Sequence, residues 1–102
     1  MARERSRRLG NVLKNIKKCI EQEKYVFSKH ALDRVRERNI DIPTVVHVLL
    51  NGREEKRKTC FDEQNGSWKY AIRGRTSENV SVRVIVAFSG DEVVIITVIR
   101  VL

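Results

Sequence analysis

The sequence has only two cysteines, one proline and no apolar run approaching the ~20 residues needed to span a bilayer. Cys19 and Cys60 lie far apart, and neither has a second cysteine or a histidine at zinc-ligand spacing, so no metal site can be read. Cys19 falls on an apolar helix face, where a free thiol behaves as a small hydrophobe, which points to a reduced, cytoplasmic setting. The arginine-rich start lacks the apolar stretch of a secretory signal. There is no glycine-rich phosphate loop, no dense Asp/Glu cluster for two-metal hydrolysis and no thiol–histidine pair. These absences exclude the common cofactor-bearing classes, and the expectation is a protein with no cofactor and no membrane partner.

What is abundant is positive charge. Lys and Arg number 21 against 13 Asp and Glu, for a net charge of +8 and a pI near 10.0. Residues 1–38 hold 12 basic and 5 acidic residues, while the remainder is close to balanced. A partner with dense negative charge follows, and nucleic acid fits best, although an acidic protein satisfies the same field. The length of 102 residues, 41% of them hydrophobic, sets the expectation of one domain with one core.

Residues 1–8 are polar and carry Arg3, Arg5, Arg7 and Arg8, which reads as a basic flexible arm ahead of a single domain over residues 9–102. Leu9, Val12, Leu13, Ile16, Cys19 and Ile20 then repeat at helical spacing. Tyr25 to Phe27 reads as a short extended piece, and Ser28 as the cap of a second helix reaching about Asn39. Pro43 and the following apolar residues predict a third helix, with Asn51-Gly52 as a left-handed stop. Beyond Gly52 the pattern is strand and turn. Arg53 to Asp62 reads as extended, Asn65-Gly66 as a hairpin turn, and alternation over Trp68 to Arg73 and Val80 to Phe88 as strands. Gly90-Asp91 turns the chain into a final apolar strand from Val93, which should be covered on both faces near its start. The expected fold class is α+β, with N-terminal helices packed on a C-terminal antiparallel sheet of about four strands.

On the second helix, His30, Arg34 and Arg38 stand at i, i+4 and i+8 and share one face, with Ala31, Leu32 and Val35 turned to the sheet. Arginine offers a planar fork to phosphate, and histidine is the side chain whose unperturbed pKa allows proton transfer near neutrality. RNA cleavage without metal needs a base for the 2′-hydroxyl, cations for the phosphorane and an acid for the leaving oxygen. The competing reading is a solvated face with Arg34–Glu37 and Asp33–Arg36 pairs. His47, among valines and leucines, reads as a buried or boundary histidine. Thr97 is a strand-packing residue or a polar group aimed at a cleft. Arg36 adds charge beside the stripe, and Arg73, Arg75 and Arg83 extend a phosphate track if they share a face. Trp68 is assigned to the core, while Tyr70 is open between core and base-stacking platform.

The run from Ser28 to Ile40, with its Ser-x-His-Ala-x-x-Arg-x-x-x-Arg helix, the short helix ending in Asn51-Gly52 and the apolar finish from Val93 to Ile99 resemble a bacterial domain-of-unknown-function family. The similarity runs from about Leu13 to Arg100, and members of that family look like RelE-type ribonuclease toxins. The resemblance implies a RelE-like helices-on-sheet fold, metal-independent RNA cleavage, RNA that is free or ribosome-bound, and a cognate antitoxin protein. It makes His30 the general acid or base, Arg34 and Arg38 the phosphate binders, and Thr97 a cleft-lining group. The rival expectation is a non-catalytic RNA-binding or regulatory module on the same fold, and a third is a basic face that docks an acidic protein.

Overall fold

The computed structural model of the chain describes residues 8–102. Among them, α1 (Val12–Glu21), β1 (Tyr25–Phe27), α2 (Lys29–Glu37) and α3 (Ile42–Asn51) precede β2 (Arg53–Glu54), β3 (Cys60–Asp62), β4 (Ser67–Arg75), β5 (Ser81–Ser89) and β6 (Glu92–Val101). The fold is α+β, with three helices packed on a mixed, mostly antiparallel sheet. The strand order is β1-β6-β5-β4-β2, and β3 pairs with the far end of β4. β1 runs parallel to β6, with Tyr25, Val26 and Phe27 opposite Val93, Val94 and Ile95. The sheet is therefore larger than the four antiparallel strands expected. Segments of two or three residues are too short to show an alternating pattern and become strands only by pairing.

Alternation decides which face of the sheet is buried. Ile72 on β4, Val82, Val84 and Val86 on β5, and Val93, Ile95 and Val98 on β6 are fully buried with Ile16, Val45 and Val48 of the helices. Their neighbours Arg73, Arg83, Ile85, Val94 and Ile96 are only half-buried, because they point to the face that carries no helices. The start of β6 is thus covered fully on one face and not on both. Between Ile85 and Val86 the β5–β6 register shifts, so that Ile85 lies opposite Thr97 and Val86 opposite Ile95, with Ile96 as the extra residue.

The close seating of α3 on β4 depends on two glycines. A Cβ on Gly52 would lie 2.5 Å from the Arg73 carbonyl oxygen and 2.6 Å from that of Val48, and one on Gly74 would lie 3.2 Å from the Val48 side chain. Gly52 has φ −81° and ψ −172°, so it ends α3 in an extended conformation and not the left-handed one expected. Glycine is required there by close backbone approach, which spacing along one helix cannot reveal. The hairpin turns at Gly66 and Gly90 do have positive φ. The stretch from Arg53 to Asp62 is broken by a turn at Lys56–Lys58, and Thr59 fills the gap it leaves. Thr59 Oγ1 accepts from the Ala71 N–H at 3.1 Å and donates to Glu54 Oε2 at 2.7 Å.

The expected arm over residues 1–8 lies outside the described residues except at its end. Arg8 is tied to the domain, with Nη2 2.9 Å from Glu54 Oε2 and the guanidinium 5.6 Å from the Trp68 ring centre. Leu9 then donates its N–H to Tyr70 Oη at 2.9 Å. Gly52→Ala should destabilise the fold by about 2 kcal/mol through overpacking against backbone. The urea midpoint measures the loss, and an unchanged midpoint would mean that α3 can move away from β4 freely.

Candidate nucleic-acid interface

Helix α2 begins where β1 ends, and Ser28 joins the two. Its N–H donates to the Ile95 carbonyl at 2.9 Å, its hydroxyl donates to the Ile96 carbonyl at 3.0 Å, and the same oxygen accepts from the Ala31 N–H at 3.0 Å. Ala31 and Val35 are buried, whereas Leu32, assigned to the sheet side by spacing, is 38% exposed. A nine-residue helix seated along a strand edge buries a stripe only one residue wide per turn, and Leu32 falls beside it.

The three residues of the predicted stripe have different fates. His30 is exposed, and its Nε2 accepts from Arg34 Nε at 3.4 Å. Arg34 also pairs through Nη1 with Glu37, one of the two intrahelical pairs expected. Asp33 and Arg36 are exposed and form no ion pair among the described residues. Arg38 is half-buried, with Nε donating to the Val98 carbonyl at 3.3 Å, while Arg100 Nη2 donates to the Arg38 carbonyl at 3.1 Å. His30 and Arg34 are brought together, but Arg38 is spent on the edge of β6. Thr97 is half-buried opposite Ile85 on the helix-free face, and among the described residues no hydrogen bond joins it to this stripe.

The fold decides between core and surface for two other residues. Tyr70 is 2% exposed, so its ring faces are closed to a base. His47 is exposed on α3, with Nδ1 3.3 Å from Asn51 Nδ2, because the apolar residues around it turn Val45, Val48 and Leu49 inward and leave position 47 outside.

Arg73, Arg75 and Arg83 do share a face, the one without helices. Arg73 lies opposite Arg53 on β2 and opposite Arg83 on β5, which sets three arginines in a row across three strands. Like charges directly opposite are destabilising, and here one carboxylate offsets them. Glu55 accepts from Arg83 Nε at 2.6 Å and Nη2 at 3.2 Å, with Arg73 Nη1 at 3.6 Å. Arg83 holds the Glu55 carboxyl below its ordinary range, and Glu55 in turn raises Arg83. Arg53 is exposed and makes no ion pair among the described residues. Arg75 donates to Asn79 Oδ1 at 2.9 Å. A cleft of about 470 Å³ opens beside this row, lined by Asn51, Gly52, Arg53, Glu55, Arg73, Gly74, Arg75 and Ser81. Sequence patterning does not single out Arg53 and Glu55, because only the pairing of β2 with β4 brings them to the arginines.

Among the described residues no group of three or more His, Cys, Asp or Glu side chains is placed to hold a metal, and no helix is long and apolar enough to cross a membrane.

The chain is thus a small basic protein of the α+β class, with a row of arginines on the helix-free face of its sheet. Within that class the chain belongs to the DUF4258 family, a domain of unknown function whose family model matches residues 27–100. The matched span contains α2 and α3 and begins at Phe27 instead of Leu13, so α1 stands outside it; it carries no tie to RelE-type enzymes. No curated protein matches the chain.

Ser28→Ala removes a helix cap and a bond to β6 together, and should lower stability by about 1–2 kcal/mol. Chemical denaturation of the variant checks this, and a loss confined to a few tenths would show that α2 is held by Ala31 and Val35 alone. Glu55 gives a pH test. Its folded pKa is depressed from the ordinary 4.5, so the stability it adds is present above that value and is lost as pH falls through the folded pKa. Glu55→Gln should cost about 1–2 kcal/mol at pH 7, and the wild-type and variant urea midpoints should converge as pH falls below 4.5.

Proposed function

We propose that the protein binds RNA and contacts its phosphates through the arginine row on the helix-free face of the sheet. The observation that carries this reading is the cross-strand line of Arg53, Arg73 and Arg83 with one carboxylate, Glu55, among them. Such a line is unfavourable in isolation and becomes favourable when an anion joins it. Arginine suits the task because its guanidinium stays charged and presents two parallel donors to phosphate oxygens.

A second reading adds cleavage. It is favoured by the exposed His30 imidazole standing beside Arg34, with Nε2 3.4 Å from Arg34 Nε, which sets a proton-transfer group next to a cation. His30 would take the proton from a 2′-hydroxyl as its oxygen bonds to phosphorus, and Arg34 would face the charge that develops there. The 5′-oxygen would leave with a proton from solvent water as its bond to phosphorus breaks. The resemblance to RelE-type toxins supports this chemistry and would make the protein a toxin held in check by a cognate antitoxin. The ranking follows from Arg38, whose guanidinium is directed to a backbone carbonyl and not to open solvent. With one of its two phosphate binders so engaged, the α2 flank is less complete than the arginine row.

Single-stranded RNA should bind with an affinity that falls steeply as salt rises, and Arg53→Gln should flatten the log–log slope by about 0.7, the loss of one phosphate contact. Binding independent of salt, or a slope unchanged in the variant, would refute the arginine row as the contact. For the second reading, RNA incubated in EDTA should yield fragments ending in 2′,3′-cyclic phosphate, and His30→Ala should abolish them with its circular dichroism unchanged. RNA that stays intact with and without ribosomes would remove cleavage and leave binding.

A further inference from the structure

The cleft beside the arginine row differs from a track for a continuous RNA backbone. Three of its lining residues, Arg53, Arg73 and Arg75, supply guanidinium groups, and Asn51 and Ser81 add neutral polar groups. Two negative features border them. One is the Glu55 carboxylate, fixed by Arg83 and Arg73. The other is the carboxyl-terminal end of α3 at Asn51 and Gly52, where the helix dipole places partial negative charge. Glu55 is offset by its two arginines, so the three guanidinium groups meet at one concave spot, and phosphates running on past it on the helix side would meet the partial negative charge of the α3 end.

A compact anion meets no such difficulty. A phosphate monoester carries up to two charges on three terminal oxygens and can accept paired bonds from more than one guanidinium, whereas a diester offers one charge and two free oxygens. The cleft volume of about 470 Å³ lies within the range of small-ligand pockets, which leaves room for the nucleoside attached to that phosphate. Gly52 and Gly74 line the same cleft, so its floor there is backbone.

We infer that this cleft binds the terminal phosphate monoester of a nucleotide, free or at the 5′ end of an RNA chain, with Arg53, Arg73 and Arg75 as its ligands and Glu55 as the group that positions Arg73 beside Arg83. The inference rests on the arginine row as a phosphate contact, and it adds that the phosphate is terminal.

The test compares one hexaribonucleotide in 5′-phosphorylated and 5′-hydroxyl forms, with adenosine 5′-monophosphate and inorganic phosphate as separate probes, all by calorimetry at constant ionic strength. The phosphorylated hexamer should bind about tenfold tighter than the hydroxyl form, a difference of about 1.4 kcal/mol. Adenosine 5′-monophosphate should compete with it. Preference for the free nucleotide over the hexamer would identify a free nucleotide as the ligand, and the reverse an RNA end. Arg53→Gln and Arg75→Gln, both at exposed positions, should each remove most of the preference, and Lys17→Gln on exposed α1 should leave it intact. Equal affinity for the two hexamers would overturn the inference while leaving RNA binding in place. Saturable nucleotide binding that Arg53→Gln abolishes, with no binding of the hydroxyl hexamer at low salt, would uphold the inference and refute the broader RNA reading. Equal loss in Lys17→Gln and Arg53→Gln would reduce the effect to overall charge and overturn it.

Discussion

The structure depends on how one edge of β6 is closed. That strand supplies Val93, Ile95 and Val98 to the core, yet its neighbour β1 is only three residues long and pairs with just its first half. The rest of the edge would expose unpaired carbonyl groups, a liability in any sheet. Ser28 and Arg38 remove it by donating from their side chains to the carbonyls of Ile96 and Val98. These two residues bracket α2, so the helix that bears His30 and Arg34 is pinned at both ends to a central strand. A site on such a helix is held by the core.

Charge is arranged differently on the two sides of the molecule. On α2, Arg34 has Glu37 beside it and Arg38 has a carbonyl, while Arg36 stands exposed without an ion pair among the described residues. On the open face of the sheet, strand pairing forces Arg53, Arg73 and Arg83 into register, and only Glu55 lies among them. No concentration of basic residues in the sequence marks this row, because Arg53, Arg73 and Arg83 come from three separate strands. Pairing between distant segments sets that location.

Much of the fold was legible in the residues because it rests on local signals. The helical spacing of Val12, Ile16 and Ile20, the cap at Ser28, Pro43 at the start of α3 and the turns at Gly66 and Gly90 each act within a few residues, and each is seen. What escaped was non-local. The parallel pairing of β1 with β6 joins segments nearly seventy residues apart, and the reason for Gly52 is a carbonyl on β4. The same division holds for the candidate site. The sharing of one face by His30 and Arg34 follows from helix geometry, while the diversion of Arg38, the burial of Tyr70 and the inclusion of Arg53 and Glu55 follow from which strands meet.

The extra residue at Ile96 sets the phase of everything after it. Val93 and Ile95 point inward, and strict alternation would continue with Thr97 in the core and Val98 outside. The bulge reverses that order, so Val98 is buried beside Val84 and Thr97 lies on the open face opposite Ile85. One inserted residue thus keeps a hydroxyl out of the hydrophobic interior, and it aligns the Val98 carbonyl for Arg38 at the far end of α2. The last turns of the helix and the last third of the strand share one register, and flattening the bulge with Ile96 still in the chain would shift both.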